Sequence, residues 1–152
     1  MGPSARLVVF ELDENRYALA LDAVERVVRI VEITPLPKAP DIVLGVVSVH
    51  GRIVPVINLR RRFRLPQREI ELTDQMVIAR TSRRLVALVA DAVHGVVECP
   101  ERDVVGMQHS VPGVEYVEGI AKTPEGLVLI HDLEKFLSLD EEAALQEAMS
   151  NA

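Results

Sequence analysis

The sequence has few aromatic residues and almost no cysteine. Of its 152 residues only 3% are aromatic, tryptophan is absent and Cys99 is the single cysteine. One cysteine cannot form an intramolecular disulfide, so we expect a reducing, cytoplasmic environment. The shortage of aromatic rings leaves little surface on which bases or sugars could stack.

Long apolar runs and excess positive charge are also missing. Runs such as Leu85 to Ala90 are far shorter than the roughly 20 residues that a membrane-spanning helix needs. The chain does not begin with the pattern of a secretory signal peptide. With a net charge of -6 and a pI of about 5.2, the protein as a whole repels nucleic acid and anionic membranes.

Motifs that carry chemistry are absent from the sequence. It contains no HExxH or CxxC spacing, no Gly-x-Ser-x-Gly turn and no glycine-rich phosphate loop. The four histidines, His50, His94, His109 and His131, show no spacing typical of metal ligands. His131 precedes Asp132, which a helix cap after a strand explains. We therefore expect no enzymatic activity, no metal site and no cofactor.

Short β-prone runs separated by turn residues make up most of the chain. Leu7 to Leu12 and Arg16 to Leu21 flank the turn Asp13-Glu14-Asn15 and predict a hairpin. Pro55 lies inside a later run and predicts an edge position or a bulge there. The further predicted strands are Ile42 to Val49, Arg52 to Ile57, Met76 to Arg80, Leu85 to Ala90, Val117 to Lys122 and Leu127 to His131.

Helical segments are predicted to be short, and each follows a residue that can cap a helix. Between the first hairpin and the next strands, Pro35, Pro37 and Pro40 indicate a stiff connector. The predicted caps are Asp22 with Glu25, Asn58 before a turn ending near Phe63, Asp91, Asp132 before a helix through Leu137, and Asp140 before a helix to about Met149.

The chain also matches itself. A shift of 69 residues places Arg16 to Val24 on Leu85 to Val93, with an identical Asp-Ala-Val triplet, and a shift of 74 places Gly45 on Gly119. Such an internal repeat predicts two copies of one β module, at about 7–65 and 76–137. Several short strands per copy favour small barrels over a parallel sheet.

The segment Val43 to Phe63, VLGVVSVHGRIVPVINLRRRF, resembles the hallmark stretch of the CheW-like coupling proteins of bacterial chemotaxis. Three more segments match this family in order: FELDENRYALALDAVERVV, LVADAVHGV and VEGIAKTPEGLVLIHDLEKFL. The resemblance covers 7–137 as a single CheW-like domain, followed by a C-terminal helix or tail at 138–152.

This resemblance implies an all-β fold of two tandem, partly intertwined five-stranded SH3- or OB-like barrels, with short helices and a hydrophobic groove between the barrels. It also implies a non-catalytic adaptor that couples chemoreceptors, the methyl-accepting chemotaxis proteins, to a CheA-type histidine kinase. Such an adaptor binds the regulatory domain of the kinase and the cytoplasmic tip of the receptor. It would work in the cytoplasm beside receptor arrays, without inserting into the membrane or binding nucleic acid.

The resemblance also indicates partner-binding residues. Leu21, Val24 and Val27 would help to line the receptor groove, although their spacing of three equally fits a buried core face. Ser48, Val49 and His50 stand where the family usually has Asn-Leu-Arg, and they are further expected receptor contacts. His50 is shorter than the arginine and cannot make its bidentate contact with a carboxylate.

A basic run gives the main alternative. Arg60, Arg61 and Arg62 are followed by Phe63 and Arg64. Small barrels can bind single-stranded nucleic acid through a basic groove with stacked aromatic rings, which makes such binding the alternative function. The simpler interpretation is a solvated helical turn that presents a charge patch to a protein partner.

Overall fold

Short strands dominate the computed structural model, which describes residues 3–106 and 116–151. The strands are β1 (Ser4–Leu12), β2 (Asn15–Ala20), β3 (Val24–Arg29), β4 (Val43–Val49), β5 (Arg52–Ile57), β6 (Gln75–Arg80), β7 (Leu85–Ala90), β8 (Ala92–Pro100), β9 (Val104–Gly106), β10 (Val117–Thr123) and β11 (Gly126–His131). Helix α1 (Leu59–Arg62) is a single turn and α2 (Leu139–Ser150) is the longest helix of the described residues. Single 3-10 turns lie at Leu21–Ala23, Glu101–Asp103 and Leu133–Lys135.

The strands form two sheets, each wrapped around its own apolar cluster. The first barrel has the strand order β3-β6-β7-β5-β4, and the second has the order β8-β1-β2-β11-β10-β9. The core of the first contains Val47, Val54 and Met76, and that of the second contains Leu7, Ala121 and Val128. The expected all-β fold with short helices is confirmed.

The internal repeat is visible in the strand order. If β1, β2 and β3 are equated with β6, β7 and β8, and β4 and β5 with β10 and β11, the five corresponding strands have the same order in both sheets, and β9 is an additional edge strand of the second. Their parallel contacts also correspond, since Val56 pairs with Ala87 in the first barrel and Ile130 with Ala18 in the second. These residues are related by the shifts of 74 and 69 found in the sequence.

The two modules exchange a hairpin. Hairpin β1–β2 comes from the first module but lies in the second barrel, and hairpin β6–β7 comes from the second module but lies in the first barrel. Each barrel therefore contains strands from both modules, and the boundary between 65 and 76 does not separate the barrels.

Both faces of the exchanged hairpins are buried, which explains their almost continuous apolar sequence. In β6, Met76 and Ile78 face the first barrel, whereas Val77 and Ala79 face a second apolar layer between the barrels. We call this layer the central cluster. Its fully buried members include Phe10, Leu12, Leu19, Ile57, Leu59, Val77, Leu88, Phe136 and Leu145. A strand buried on both faces needs apolar residues at every position instead of at alternate ones.

The segment after Ala20 is not the capped helix that the sequence predicts. Leu21–Ala23 is one 3-10 turn without a side-chain cap, and strand β3 follows it. Strand β3 pairs Val24 with Ala79 and Arg26 with Ile78, so Glu25 forms a bulge. The extra residue places Val24 and Val27 on the same face of the strand, and their helix-like spacing of three arises from this bulge.

Two further local predictions are wrong. Pro55 lies neither at an edge nor at a bulge, because β5 runs between β7 and β4 and Pro55 pairs with Val46. Strand β5 pairs with β7 only at Val56 and Ile57. Pro55, which has no backbone N–H, therefore lies just outside this ladder. Helix α2 is capped by Ser138 and not by Asp140, and Ser138 forms a capping box with Glu141.

The caps at Asn58 and Asp132 are confirmed. The Asn58 side chain accepts a hydrogen bond from the Arg61 N–H, and the Asp132 side chain accepts one from the Glu134 N–H, each at 3.1 Å. The shift of 74 residues relates the two caps. A short helical turn capped by an Asn or Asp side chain therefore follows the last strand of each module.

Position 45 needs a glycine because the backbone of Thr34 passes directly over it. Thr34 pairs with Val46 through two backbone hydrogen bonds, and a Cβ at Gly45 would overlap the backbone oxygen of Thr34. In the second module β9 takes the place of Thr34, and a Cβ at Gly119 would lie 3.1 Å from the backbone oxygen of Val105. The first crossing is therefore the tighter of the two.

We expect Gly45→Ala to lower the free energy of unfolding by at least about 3 kcal/mol, because a backbone segment must move to accept the methyl group. Gly119→Ala, the matched change in the second module, should cost roughly 1–2 kcal/mol because its contact is looser. Urea unfolding of both variants measures the difference. Equal losses of unfolding free energy in the two variants would mean that the chain crossing at Gly45 is no tighter than the one at Gly119.

Candidate interaction surface

An exposed surface forms where edge strand β3 meets the tip of hairpin β4–β5. The Arg26 Nη1 lies 2.6 Å from the His50 Nε2, and the Arg52 Nη2 lies 3.1 Å from both carboxylate oxygens of Glu25. Since β3 and β4 are the two edges of the first sheet, these contacts bring its two ends together. We call this region the edge surface; it consists of Glu25, Arg26, Val27, His50, Arg52 and Ile53.

The hairpin turn determines where His50 lies. His50 has a φ of 49° and Gly51 a φ of 79°, and positive φ at both central residues is the mark of a type I′ turn. Histidine occupies this left-handed region more readily than branched residues do. The turn leaves His50 exposed, with its ring directed to Arg26 on β3.

Two apolar side chains of the edge surface are open to solvent. Val27 is 38% exposed and Ile53 is 58% exposed. Val27 pairs with Val77 and so lies on the face of β3 that turns to the central cluster, whereas Arg26 lies on the opposite face. The edge surface therefore contains both exposed apolar and charged side chains, with Val27 and Arg26 on opposite faces of β3.

The predicted receptor contacts differ in their exposure to solvent. Val27, Ser48 and His50 are exposed, and Ser48 pairs with the exposed Ile53. Val49 is only 5% exposed and packs in the core of the first barrel, so the structure does not bring it to the surface with Ser48 and His50. Its alternation with Ser48 along β4 explains this, because neighbouring strand residues face opposite sides.

Leu21 and Val24 take other positions. Val24 is partly buried and packs against the central cluster. Leu21 lines an open pocket of about 490 Å³, together with residues of β1 and β10 such as Arg6 and Glu118. Neither Val24 nor Val27 lines that pocket, so the three residues do not form one continuous row.

The predicted basic patch is largely used inside the fold. Arg60 is 9% exposed and donates hydrogen bonds to Asp13 at 2.7 Å and to Asp91 at 2.8 Å. Arg68 contacts Asp91 at 2.5 Å and Asp74 at 2.7 Å. We call Asp13, Arg60, Arg68, Asp74 and Asp91 the charge network. The sequence predicted that Asp91 caps a helix. In the structure Asp91 instead accepts hydrogen bonds from two guanidinium groups.

Electrostatic complementarity keeps the network charged despite its partial burial. Burial opposes the charge of Asp91, but hydrogen bonds from Arg60 and from the Asp13 N–H lower the pKa of its carboxyl group. Burial likewise opposes the charge of Arg60, and its bonds to Asp91 and Asp13 raise its pKa. The network joins the β1–β2 turn, helix α1 and the junction of β7 with β8.

The neighbours of Arg60 also have partners. Arg62 is largely buried, pairs with Glu141 at 2.7 Å and donates to the Tyr116 hydroxyl at 3.0 Å, which ties α1 to α2. Arg61 is exposed and lies 3.5 Å from Asp41. Arg60 and Arg62 are therefore held in ion pairs within the fold, and of the three arginines Arg61 is the one most open to solvent.

The histidines have different roles. His131 is buried between the rings of Tyr17 and Phe63, and its Nδ1 lies 3.2 Å from the Leu129 carbonyl oxygen. Burial lowers the pKa of His131 to about 4. His94 lies 3.0 Å from Glu11, and His109 lies outside the described residues. Within 3–106 and 116–151, no three histidine, cysteine or acidic side chains come together as metal ligands.

The helices of residues 3–106 and 116–151 are short or polar. None of them has both the length and the hydrophobicity needed to cross a bilayer.

Comparisons with known proteins agree with the fold. A sequence model of the CheW-like domain matches residues 6–141. The chain is 31% identical over 140 residues to the chemotaxis protein CheW of Thermotoga maritima, covering 92% of this chain and 90% of that protein. It is 27% identical over 142 residues to the chemotaxis protein CheW of Treponema pallidum, covering 90% and 84%. The crystal structure of the scaffolding protein TtCheW from Thermoanaerobacter tengcongensis matches with a TM-score of 0.83 and 30% identity, covering 91% of this chain and 96% of that chain.

We expect Asp91→Ala to lower the free energy of unfolding by about 2–4 kcal/mol, because it leaves Arg60 buried with one partner fewer. Asp41→Ala is the matched control, since Asp41 is 87% exposed in its pair with Arg61 and should cost less than about 0.5 kcal/mol. Chemical unfolding at pH 7 compares the two. If Asp91→Ala lowers the free energy of unfolding as little as Asp41→Ala does, the contacts of Asp91 in the charge network add no measurable stability.

The burial of His131 predicts a loss of stability in acid. The unfolded chain takes up this proton near pH 6.5 but the folded chain only near pH 4, so the unfolded state gains protons first. Stability should be complete above about pH 6.5 and should fall by roughly 3 kcal/mol as the pH decreases to about 4. His131→Gln should remove this share of the slope. Parallel stability profiles for the variant and the wild type would contradict the assignment.

Proposed function

The chain belongs to the CheW-like domain family, and from this premise we propose that it is a non-catalytic adaptor that couples chemoreceptors to a CheA-type histidine kinase. The observation that carries the proposal is the match of the family model to residues 6–141. The structural likeness to a scaffolding protein supports the same role over nearly the whole chain. We expect no turnover and no requirement for a cofactor.

An adaptor needs two partner surfaces whose relative position is fixed. The exchanged hairpins support such an arrangement, since each barrel contains strands of both modules. We propose that the receptor tip docks at the edge surface and that the regulatory domain of the kinase binds elsewhere on the barrels. The exposed Val27 and Ile53 support the first assignment, because an amphipathic helix docks through apolar anchors of this kind.

The location of the protein follows from its partners. We propose that it works in the cytoplasm and reaches receptor arrays through protein contacts, without membrane insertion. The alternative of single-stranded nucleic-acid binding is not favoured, because Arg60 and Arg62 are held in ion pairs within the fold. The net charge of -6 also opposes it.

We expect Val27→Asp to weaken binding of a receptor-tip fragment at least about fivefold, because a carboxylate replaces an apolar anchor and must be desolvated. Kinase binding should stay within about twofold, since the kinase uses another surface in this proposal. Titration calorimetry with a receptor tip and a kinase regulatory domain from the same organism measures both affinities.

Val96→Asp is the matched control. Val96 corresponds to Val27 through the shift of 69, lies on edge strand β8 of the second barrel and is 57% exposed. It should leave receptor binding unchanged. Equal effects of the two variants on receptor binding would remove the edge surface from the proposal, and absence of kinase binding by the wild type would refute the coupling function.

A further inference from the structure

We propose that Arg26 binds a carboxylate of the receptor tip and that His50 is the residue that positions it. This inference rests on the proposed function and assigns the polar part of the edge surface. It gives the central role to Arg26, which the sequence analysis did not single out, and gives His50 a supporting one.

The chemistry of the contact fixes which group donates. A guanidinium has five N–H donors and no acceptor, so at 2.6 Å the Arg26 Nη1–H must donate to a lone pair on the His50 Nε2. This hydrogen bond requires the tautomer of His50 that carries its proton on Nδ1. The bond uses one N–H of Arg26 and leaves four for a partner.

The neighbouring carboxylate does not satisfy Arg26. Glu25 precedes it in the chain, but both oxygens of Glu25 accept from the Arg52 Nη2. Among the residues that the structure describes, Arg26 makes no ion pair. Arg60 and Arg62, in contrast, are each paired with a carboxylate. Arg26 is thus a cation that is held in place and still has donors to give.

The hairpin makes this arrangement suitable for binding. The type I′ turn fixes the backbone at His50, and the hydrogen bond restrains the long Arg26 side chain before a partner arrives. Restraint in the free protein reduces the entropy that binding would otherwise cost. The remaining N–H groups can form a bidentate contact, which a carboxylate accepts with good geometry.

The surroundings specify the partner as an acidic amphipathic helix. Val27 follows Arg26 on the opposite face of β3 and Ile53 follows Arg52 on β5, so an amphipathic helix that covers these exposed apolar residues along the edge can bring a glutamate or aspartate at its margin to the guanidinium. Because the protein carries a net charge of -6, an acidic partner is repelled by most of its surface. The exposed cation of Arg26 therefore also favours one docking position for such a helix.

The test measures binding of the full chain to a receptor-tip fragment and, separately, to the kinase regulatory domain. The variants are Arg26→Ala, Arg26→Gln, His50→Leu, His50→Gln and the double variant Arg26→Ala with His50→Leu. Arg29→Ala is the control, since Arg29 is also exposed on β3 and makes no ion pair with the described residues. Circular dichroism at each step verifies the fold, and Arg26→Gln replaces Arg26→Ala if the latter unfolds.

We expect Arg26→Ala to weaken receptor binding at least about tenfold and to reduce its salt dependence, with kinase binding unchanged. His50→Leu should weaken receptor binding roughly threefold to tenfold when Arg26 is present and have no effect in the Arg26→Ala background. His50→Gln, whose side-chain oxygen can still accept from Arg26, should retain binding within about twofold. Arg29→Ala should bind like the wild type.

Three results would overturn the inference. Wild-type receptor binding by Arg26→Ala would remove Arg26 from the contact while leaving the coupling function intact. An equal loss from His50→Leu with and without Arg26 would mean that His50 touches the receptor itself. A wild-type chain that binds neither the receptor tip nor the kinase would refute both the proposed function and this assignment.

Discussion

The whole architecture depends on burying two exchanged hairpins between the barrels. Hairpins β1–β2 and β6–β7 each place one face in a barrel core and the other in the central cluster. A barrel without its borrowed hairpin would expose both its own core and the central cluster to water, at roughly 25 cal/mol for each Å² of apolar surface. The two barrels therefore stabilise each other, and the relative position of their outer surfaces is fixed by the same contacts.

The charge network lies at the boundary that this exchange creates. Asp13 belongs to the turn of one exchanged hairpin, Asp91 follows the other, and Arg60 lies between them on α1. The guanidinium contacts both acids within hydrogen-bond distance, so it fixes the two hairpin ends relative to each other. Directional bonds of this kind add specificity to an interface whose apolar part is tolerant of sliding.

The sequence predicted correctly those features of the fold that depend on residues close together in the chain. The β-prone runs, the caps at Asn58 and Asp132 and the repeat were visible because each depends on neighbouring residues. The sequence does not distinguish a cap from an ion-pair acceptor at Asp91, because both require the same side chain and only the fold brings Arg60 to it. The spacing of Val24 and Val27 resembles a helical interval because a bulge in a strand produces the same spacing. The contact of Arg26 with His50 crosses 24 residues, and no pattern in the sequence marks it.

The reciprocal exchange also has a consequence for biosynthesis. The N-terminal hairpin β1–β2 finds its neighbours only in β8 and β11, so it stays unprotected until the chain has been synthesised to His131. The first barrel likewise remains open until β7 has left the ribosome. The first barrel has all five of its strands once β7 has been made, whereas the second stays incomplete until β11, and the long sequence separation of its paired strands slows folding. Until then hairpin β1–β2 is an apolar segment with unpaired strand edges, and segments of this kind are prone to aggregation.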